Sequence, residues 1–137
     1  MNSGREGEVS IRSESDIVQA RKLVRSVAAE AGLGVTDVTR VVTAASELTR
    51  NIFHYAGEGT MTWRTLNTGA RSGIELVFED RGPGISNIDQ AMERGYSTRG
   101  GLGLGLPGAK RLMDEMEIKS APGQGTKIVV RKWLRRV

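Results

Sequence analysis

The chain has 137 residues, enough for one domain with a real core, and with no cysteine and a single histidine it has neither disulfides nor thiolate metal sites and little scope for a His-ligated zinc site. Its formal net charge is +4, which would suit nucleic acid, but aromatic residues are only 4% of the chain and supply a base-stacking platform poorly. No apolar run approaches the ~20 residues that span a bilayer, and the polar start Met1–Gly7 lacks a secretory stretch, so the expectation is a soluble, cytoplasmic protein engaging neither membrane nor nucleic acid.

Short alternation from Glu8 to Ser13 predicts a first strand. Ser15 and Asp16 are suitable capping residues for a helix in which Ile17, Ala20, Val24, Val27, Ala28 and Ala31 recur at helical spacing, ending at Gly32. A second helix is predicted from about Thr36 to about Tyr55, with the stripe Val38, Val41, Val42, Ala45, Leu48 and Ile52 and a stop at Gly57. Two strands follow, Thr60 to Asn67 and Gly73 to Glu79, and then a loop from Asp80 to Gly84. A short helical piece is expected around Ile88 to Arg94. The run Gly100 to Gly105 opens onto a helix carrying Leu106, Ala109, Leu112 and Met113, and Met116 to Ser120 and Thr126 to Leu134 read as the last strands. Helices grouped with a mixed sheet, covered on one face, imply an α/β (α+β) two-layer sandwich in a single domain, 1–137.

Glu47 and Asn51 stand one turn apart on the second helix. A carboxylate and an amide so placed suit activation of a hydroxyl and ligation of a hard cation such as Mg2+; they equally suit a solvated helix flank. Asp80, at the exit of an apolar strand, can accept a proton from the exocyclic amine of adenine, and Gly82 and Gly84 let the backbone approach a flat base; a plain Asp-Gly-Pro-Gly turn has the same composition. Gly101, Gly103 and Gly105 alternate with Leu102, Leu104 and Leu106 before a helix N-terminus, where unpaired N–H groups favour phosphate. No Gly-Lys-Ser/Thr follows and no strand immediately precedes, so this is neither a Walker loop nor a Rossmann fingerprint. Ser97 and Thr98 either touch a terminal phosphate or are polar loop residues. His54 reads as a surface histidine ahead of a phosphoacceptor, and the basic stretch Arg131 to Arg136 as a solvated strand end ahead of an anion patch.

The three segments Glu47–Asn51, Asp80–Gly84 and Gly101–Leu106, in this order, resemble the N, G1 and G2 boxes of the GHKL superfamily with its Bergerat ATP-binding fold. The longer stretches Ala45–Ile52, Gly95–Thr98, Gly105–Glu115 and Lys132–Arg135 resemble the RsbT-like switch kinases of the anti-sigma-factor serine kinase group. The resemblance implies an ATP- and Mg2+-dependent serine/threonine kinase with Glu47 as general base and Asn51 as magnesium ligand. Asp80 would bind the adenine amine, Gly84 would lie under the base, and Thr126 would help hold adenine through water. The glycine run would shape the phosphate loop, and the segment from about Ile85 to Gly100 a lid. It further implies a stressosome-type module in which STAS-domain proteins are substrates, a PP2C-type phosphatase is bound and activated, and a sigma factor is a further candidate partner. A binding switch or anti-sigma factor that sequesters its partner without phosphorylating it is the alternative, although binding alone needs no base. A histidine-kinase catalytic domain would require a phosphoacceptor helix pair upstream.

Overall fold

The computed structural model describes residues 5–85, 92 and 105–135. Helix α1 (Glu14–Glu30) is opened by Ser13, whose backbone is extended and whose hydroxyl accepts the Asp16 N–H at 3.3 Å. Asp16 in turn accepts the Arg12 N–H at 2.9 Å, so free N–H groups at the helix start are satisfied reciprocally. Ser15 and Asp16 are therefore not the caps expected from sequence. Ser13 takes that role because an N-cap oxygen must reach forward to the third helical amide, and Asp16 already is that third residue. Helix α2 (Val35–Ala56) buries all six residues of its expected stripe. It stops at Gly57, at φ 83°, where the N–H returns to the Phe53 carbonyl.

The strands are β1 (Glu6–Ile11), β2 (Gly59–Asn67), β3 (Ser72–Asp80), β4 (Glu115–Ser120) and β5 (Thr126–Trp133), with helix α3 (Leu106–Leu112) before β4. They form one sheet in the order β1-β2-β3-β5-β4. The helical piece expected around Ile88 to Arg94 falls, apart from Met92, outside the described residues. The two-layer arrangement is the expected one. Its sheet, however, is antiparallel at every described pairing, not mixed. The reason is topological. The α1–α2 pair carries the chain out and back to the sheet end it left, so β2 must oppose β1. The connection from β3 to β4 does leave those two strands running the same way, but β5 is inserted between them.

The helices cover one face. Met61, Leu76, Phe78 and Val130 from the sheet meet Val41, Leu48 and Ile52 from α2 in a continuous core. On the open face Glu6, Arg64, Glu75, Arg131 and Glu115 fall in one register row across all five strands, alternating in sign. Glu75 accepts from Arg64 and from Arg131, each at 2.7 Å, and Arg131 also reaches Glu115 at 2.9 Å. Burial would raise the Glu75 pKa, but the two guanidinium groups outweigh it and hold the carboxyl below its ordinary range. Among the described residues no helix is long and apolar enough to cross a membrane.

Register also lines up the row that matters most for the site: Ile11, Gly59, Asp80, Thr126 and Ser120 all lie at one end of the sheet. The opposite end is closed by a buried charge cluster. Lys132, 4% exposed, faces inward from β5, donates to the Leu112 carbonyl at 2.9 Å and reaches Asp114 at 3.3 Å and Asp37 at 3.7 Å. Asp37, 5% exposed, also accepts from Arg40 at 2.8 Å and Arg135 at 3.1 Å. The cluster ties the last turn of α3 to the first turn of α2. Burial pushes the Asp37 pKa up, and Arg40, Lys132 and Arg135 together bring it below the ordinary value. A depressed folded-state pKa contributes stability that is present above the unfolded value and lost as pH falls through the folded one. Asp37→Ala is expected to destabilise the fold by about 3 kcal/mol at pH 7, since Lys132 would lose a buried counter-charge. In urea titrations this difference should shrink as the pH is taken below 4, the model-compound region for aspartate.

Candidate functional site

At the sheet end, β3 delivers Asp80 to the surface of the core. Its carboxylate accepts the Gly82 N–H at 2.8 Å and the Thr126 N–H from the neighbouring strand. Burial, the largest influence, raises its pKa above the ordinary aspartate value, and the two amides oppose this without cancelling it. Gly82 lies against the last residue of α2: a Cβ there would come 2.7 Å from the Ala56 Cβ. Gly84 has φ +77° and a Cβ on it would run into the Ala121 carbonyl, so no other residue fits this turn without moving backbone. The turn at 81–85 thus interlocks with the turn at 121–125, and the Gly123 N–H donates to the Pro83 carbonyl at 2.8 Å. Beside them, round the end of the sheet, opens a cleft of about 650 Å³ lined by Asp80, Ser120, Gln124 and Thr126 and, from the strand face that carries Glu75 and Arg131, by Glu79, Lys119 and Lys127.

A second constellation lies where α2 meets α3. Gly105 precedes α3 with φ +63°, and its carbonyl accepts the Ala109 N–H at 3.0 Å. A Cβ at Gly105 would stand 2.5 Å from Glu47 Oε2 and 3.2 Å from its Cδ. The Glu47 carboxylate therefore sits directly on the backbone that opens α3. Its side chain is 40% exposed, and among the described residues the nearest cation is Arg50 at 4.0 Å. Asn51 follows one turn along α2, half-buried. Leu106 is 1% exposed and packs in the core, so it can serve a ligand only through its main chain.

The structure thus brings Glu47 to Gly105, Asp80 to Thr126, Gly82 to the end of α2 at Ala56, and Gly84 to Ala121 and Gly125. Ser97, Thr98, Gly101, Leu102, Gly103 and Leu104 lie outside the described residues. His54 is exposed, with its ring 6.0 Å from Phe53 and 6.4 Å from Tyr55. One residue of the site was not anticipated. Ser120 receives the Ile85 N–H at 2.8 Å, lies 2.8 Å from the Gly125 carbonyl and 2.9 Å from the Thr126 hydroxyl, and so joins both turns. The available signal was its place in the alternation Met116, Ile118, Ser120, which puts a hydroxyl at an inward-facing position beside Gly125.

The sequence matches the family described as histidine kinase-like ATPase domain over residues 11–132. The chain belongs to this family. It is 51% identical to the serine/threonine-protein kinase RsbT of Bacillus subtilis (strain 168) over 127 residues, which is 93% of this chain and 96% of that protein. It is 31% identical to an anti-sigma F factor of Thermoanaerobacter sp. (strain X514), covering 84% of this chain and 83% of the relative. An anti-sigma F factor of Clostridium beijerinckii is 33% identical, with 82% of each chain covered. Membership of the histidine kinase-like ATPase family carries the use of ATP with it.

The raised pKa of Asp80 means that its charge at neutral pH is held against the preference of its surroundings. Asp80→Asn keeps one acceptor oxygen for the two amides and removes the titration, so the expected outcome lies in the pH dependence of its melting temperature. As pH falls from 7 through the folded-state pKa, where the native carboxyl takes up its proton, the native chain should gain stability relative to Asp80→Asn. A native chain that loses stability relative to Asp80→Asn over that range would contradict this reading.

Proposed function

We propose that the chain is an ATP-dependent serine/threonine protein kinase and partner switch, with Glu47 as its general base. The observation that carries the reading is the seating of Glu47 on Gly105, which puts a carboxylate at the opening of the helix that follows the glycine run. Phosphoryl transfer asks the protein mainly to align the nucleophile and to stabilise charge, and this geometry suits both tasks. Asp80 would accept from the adenine amine, with Thr126 beside it and Gly82 and Gly84 beneath the base. Gly101, Leu102, Gly103, Leu104, Gly105 and Leu106 would offer main-chain N–H groups to the phosphates, with Ser97 and Thr98 near the terminal one. Asn51 supplies the hard oxygen that Mg2+ prefers, and the ion would neutralise phosphate charge. The serine or threonine oxygen of the partner attacks the γ-phosphorus, the bond to the β–γ bridging oxygen breaks to release ADP, and the hydroxyl proton passes to Glu47.

The substrates on this reading are STAS-domain proteins of a stressosome-type module in the cytoplasm. A PP2C-type phosphatase is the partner bound after release, and a sigma factor is a further candidate. Support for a protein partner comes from α1, where Arg21, Lys22 and Arg25 are exposed and form no ion pair among the described residues. Two of them, Arg21 and Arg25, line a small groove that runs to Glu47. The relatives named as anti-sigma F factors favour the second reading, an anti-sigma factor or ATP-binding switch that acts by sequestering a partner rather than by phosphorylation.

Two experiments test these roles. With labelled ATP, Mg2+ and a STAS-domain partner, the native chain should place acid-stable label on the partner, and Glu47→Gln should reduce the rate by at least about 100-fold. Nucleotide binding without any label would leave the binding-switch reading in its place, and no nucleotide binding would remove both. Gly105→Ala should cost the fold only about 1–2 kcal/mol, the penalty of a left-handed residue with a side chain. Its rate of transfer should fall by about 10-fold or more, because the new methyl displaces Glu47 from its seat. Native rates in Gly105→Ala, measured by the same assay, would refute the proposed placement of the base.

A further inference from the structure

We propose that Ser120 is a positioning residue for the base end of the site. It orients the Thr126 hydroxyl so that Thr126 presents lone pairs, not a proton, to the cleft. This rests on the ATP-binding reading above. A serine hydroxyl has one proton and two lone pairs. The Ile85 N–H, 2.8 Å away, occupies one lone pair. The Gly125 carbonyl, also 2.8 Å away, can only accept, and so takes the proton. Thr126 Oγ1 lies 2.9 Å from the same oxygen. With the Ser120 proton committed, a bond between the two hydroxyls forms only if Thr126 donates. Ser120 is then saturated and has nothing left for a ligand, although it lines the cleft. Thr126 has given its one proton and keeps both lone pairs.

Thr126 pairs with Asp80 across the β3–β5 ladder and lines the same cleft. Asp80, when ionised, can also only accept. Asp80 and Thr126 therefore both present acceptors, and a group that binds between these two must bring a proton to each. An exocyclic amine serves Asp80. A water, donating one proton to Thr126 and the other to a ring nitrogen, serves the second position without any rearrangement of the protein. Without Ser120 the threonine hydroxyl would turn freely, and binding would have to order it.

Calorimetric titration of ADP with Mg2+ into the native chain, Ser120→Ala, Thr126→Val and the double variant tests this. Each single substitution should weaken ADP by about fivefold, the net worth of one hydrogen bond. The double variant should bind within about twofold of Thr126→Val, because the effect of Ser120 passes through a hydroxyl already removed. Ser120→Thr, which keeps the hydroxyl, should restore binding, and in the transfer assay the loss should appear in KM for ATP and not in kcat. Ser120→Cys, nearly isosteric and a weak donor, gives the same reading if the alanine variant does not fold. Losses that simply multiply in the double variant would overturn the inference, as would failure of Ser120→Thr to rescue. If the native chain itself binds no ADP, the proposed function falls and takes this inference with it.

Discussion

The backbone at Gly105 comes so close to α2 that a single added carbon would collide with the Glu47 carboxylate. That approach is possible only because α3 is held at both ends. Its first turn is fixed by Leu106 and Ala109, both in the core. Its last turn is fixed by Lys132, which donates to the Leu112 carbonyl while facing Asp37 on α2. A buried lysine would be costly alone, and here three polar contacts surround it. The position of a carboxylate at one end of α3 is therefore set by charge pairing at the other.

The sheet end obeys a related constraint. Its two turns carry glycines with positive φ, and at Gly84 and Gly125 a side chain would run into facing backbone, so the turns can interlock backbone to backbone. Interlocking brings polar main-chain groups together in a half-buried place where each needs a partner. Ser120 and Asp80 between them satisfy Ile85, Gly125, Gly82 and Thr126. On the proposed reading, polar satisfaction and ligand preparation are the same hydrogen bonds.

Much of this was legible in the amino-acid sequence, for physical reasons that differ by element. The stripe on α2 has a helical period that only one fold of that segment can bury, and every stripe residue is buried. Asp80 was legible because a carboxylate directly after an apolar strand has few places to go. The cap of α1 was misjudged because Ser13, Ser15 and Asp16 all suit capping and only backbone geometry selects among them. The insertion of β5 between β3 and β4 has no local signature, since hairpin partners look alike whichever side they add to. Ser120 and Lys132 were passed over because polar residues in strands usually face water. Their place in the inward alternation was visible, but its meaning depends on partners far away in the chain.

The open face of the sheet differs in kind from the helical face. Its transverse row of glutamates and arginines alternates in sign over five strands, and each charge at the centre of the row is already answered by its neighbours. A strand slipped by two positions would break the alternation, so the row guards the registry that sets Asp80 opposite Thr126. It also leaves the centre of that face with its charges paired to one another. An approaching protein finds no uniform field there and would have to part existing pairs to make its own. On α1, by contrast, three cations project outward with no internal counter-charge among the described residues. The molecule is in this sense one-sided: the central charges of the sheet row are answered within the sheet, whereas those of α1 are left to the solvent.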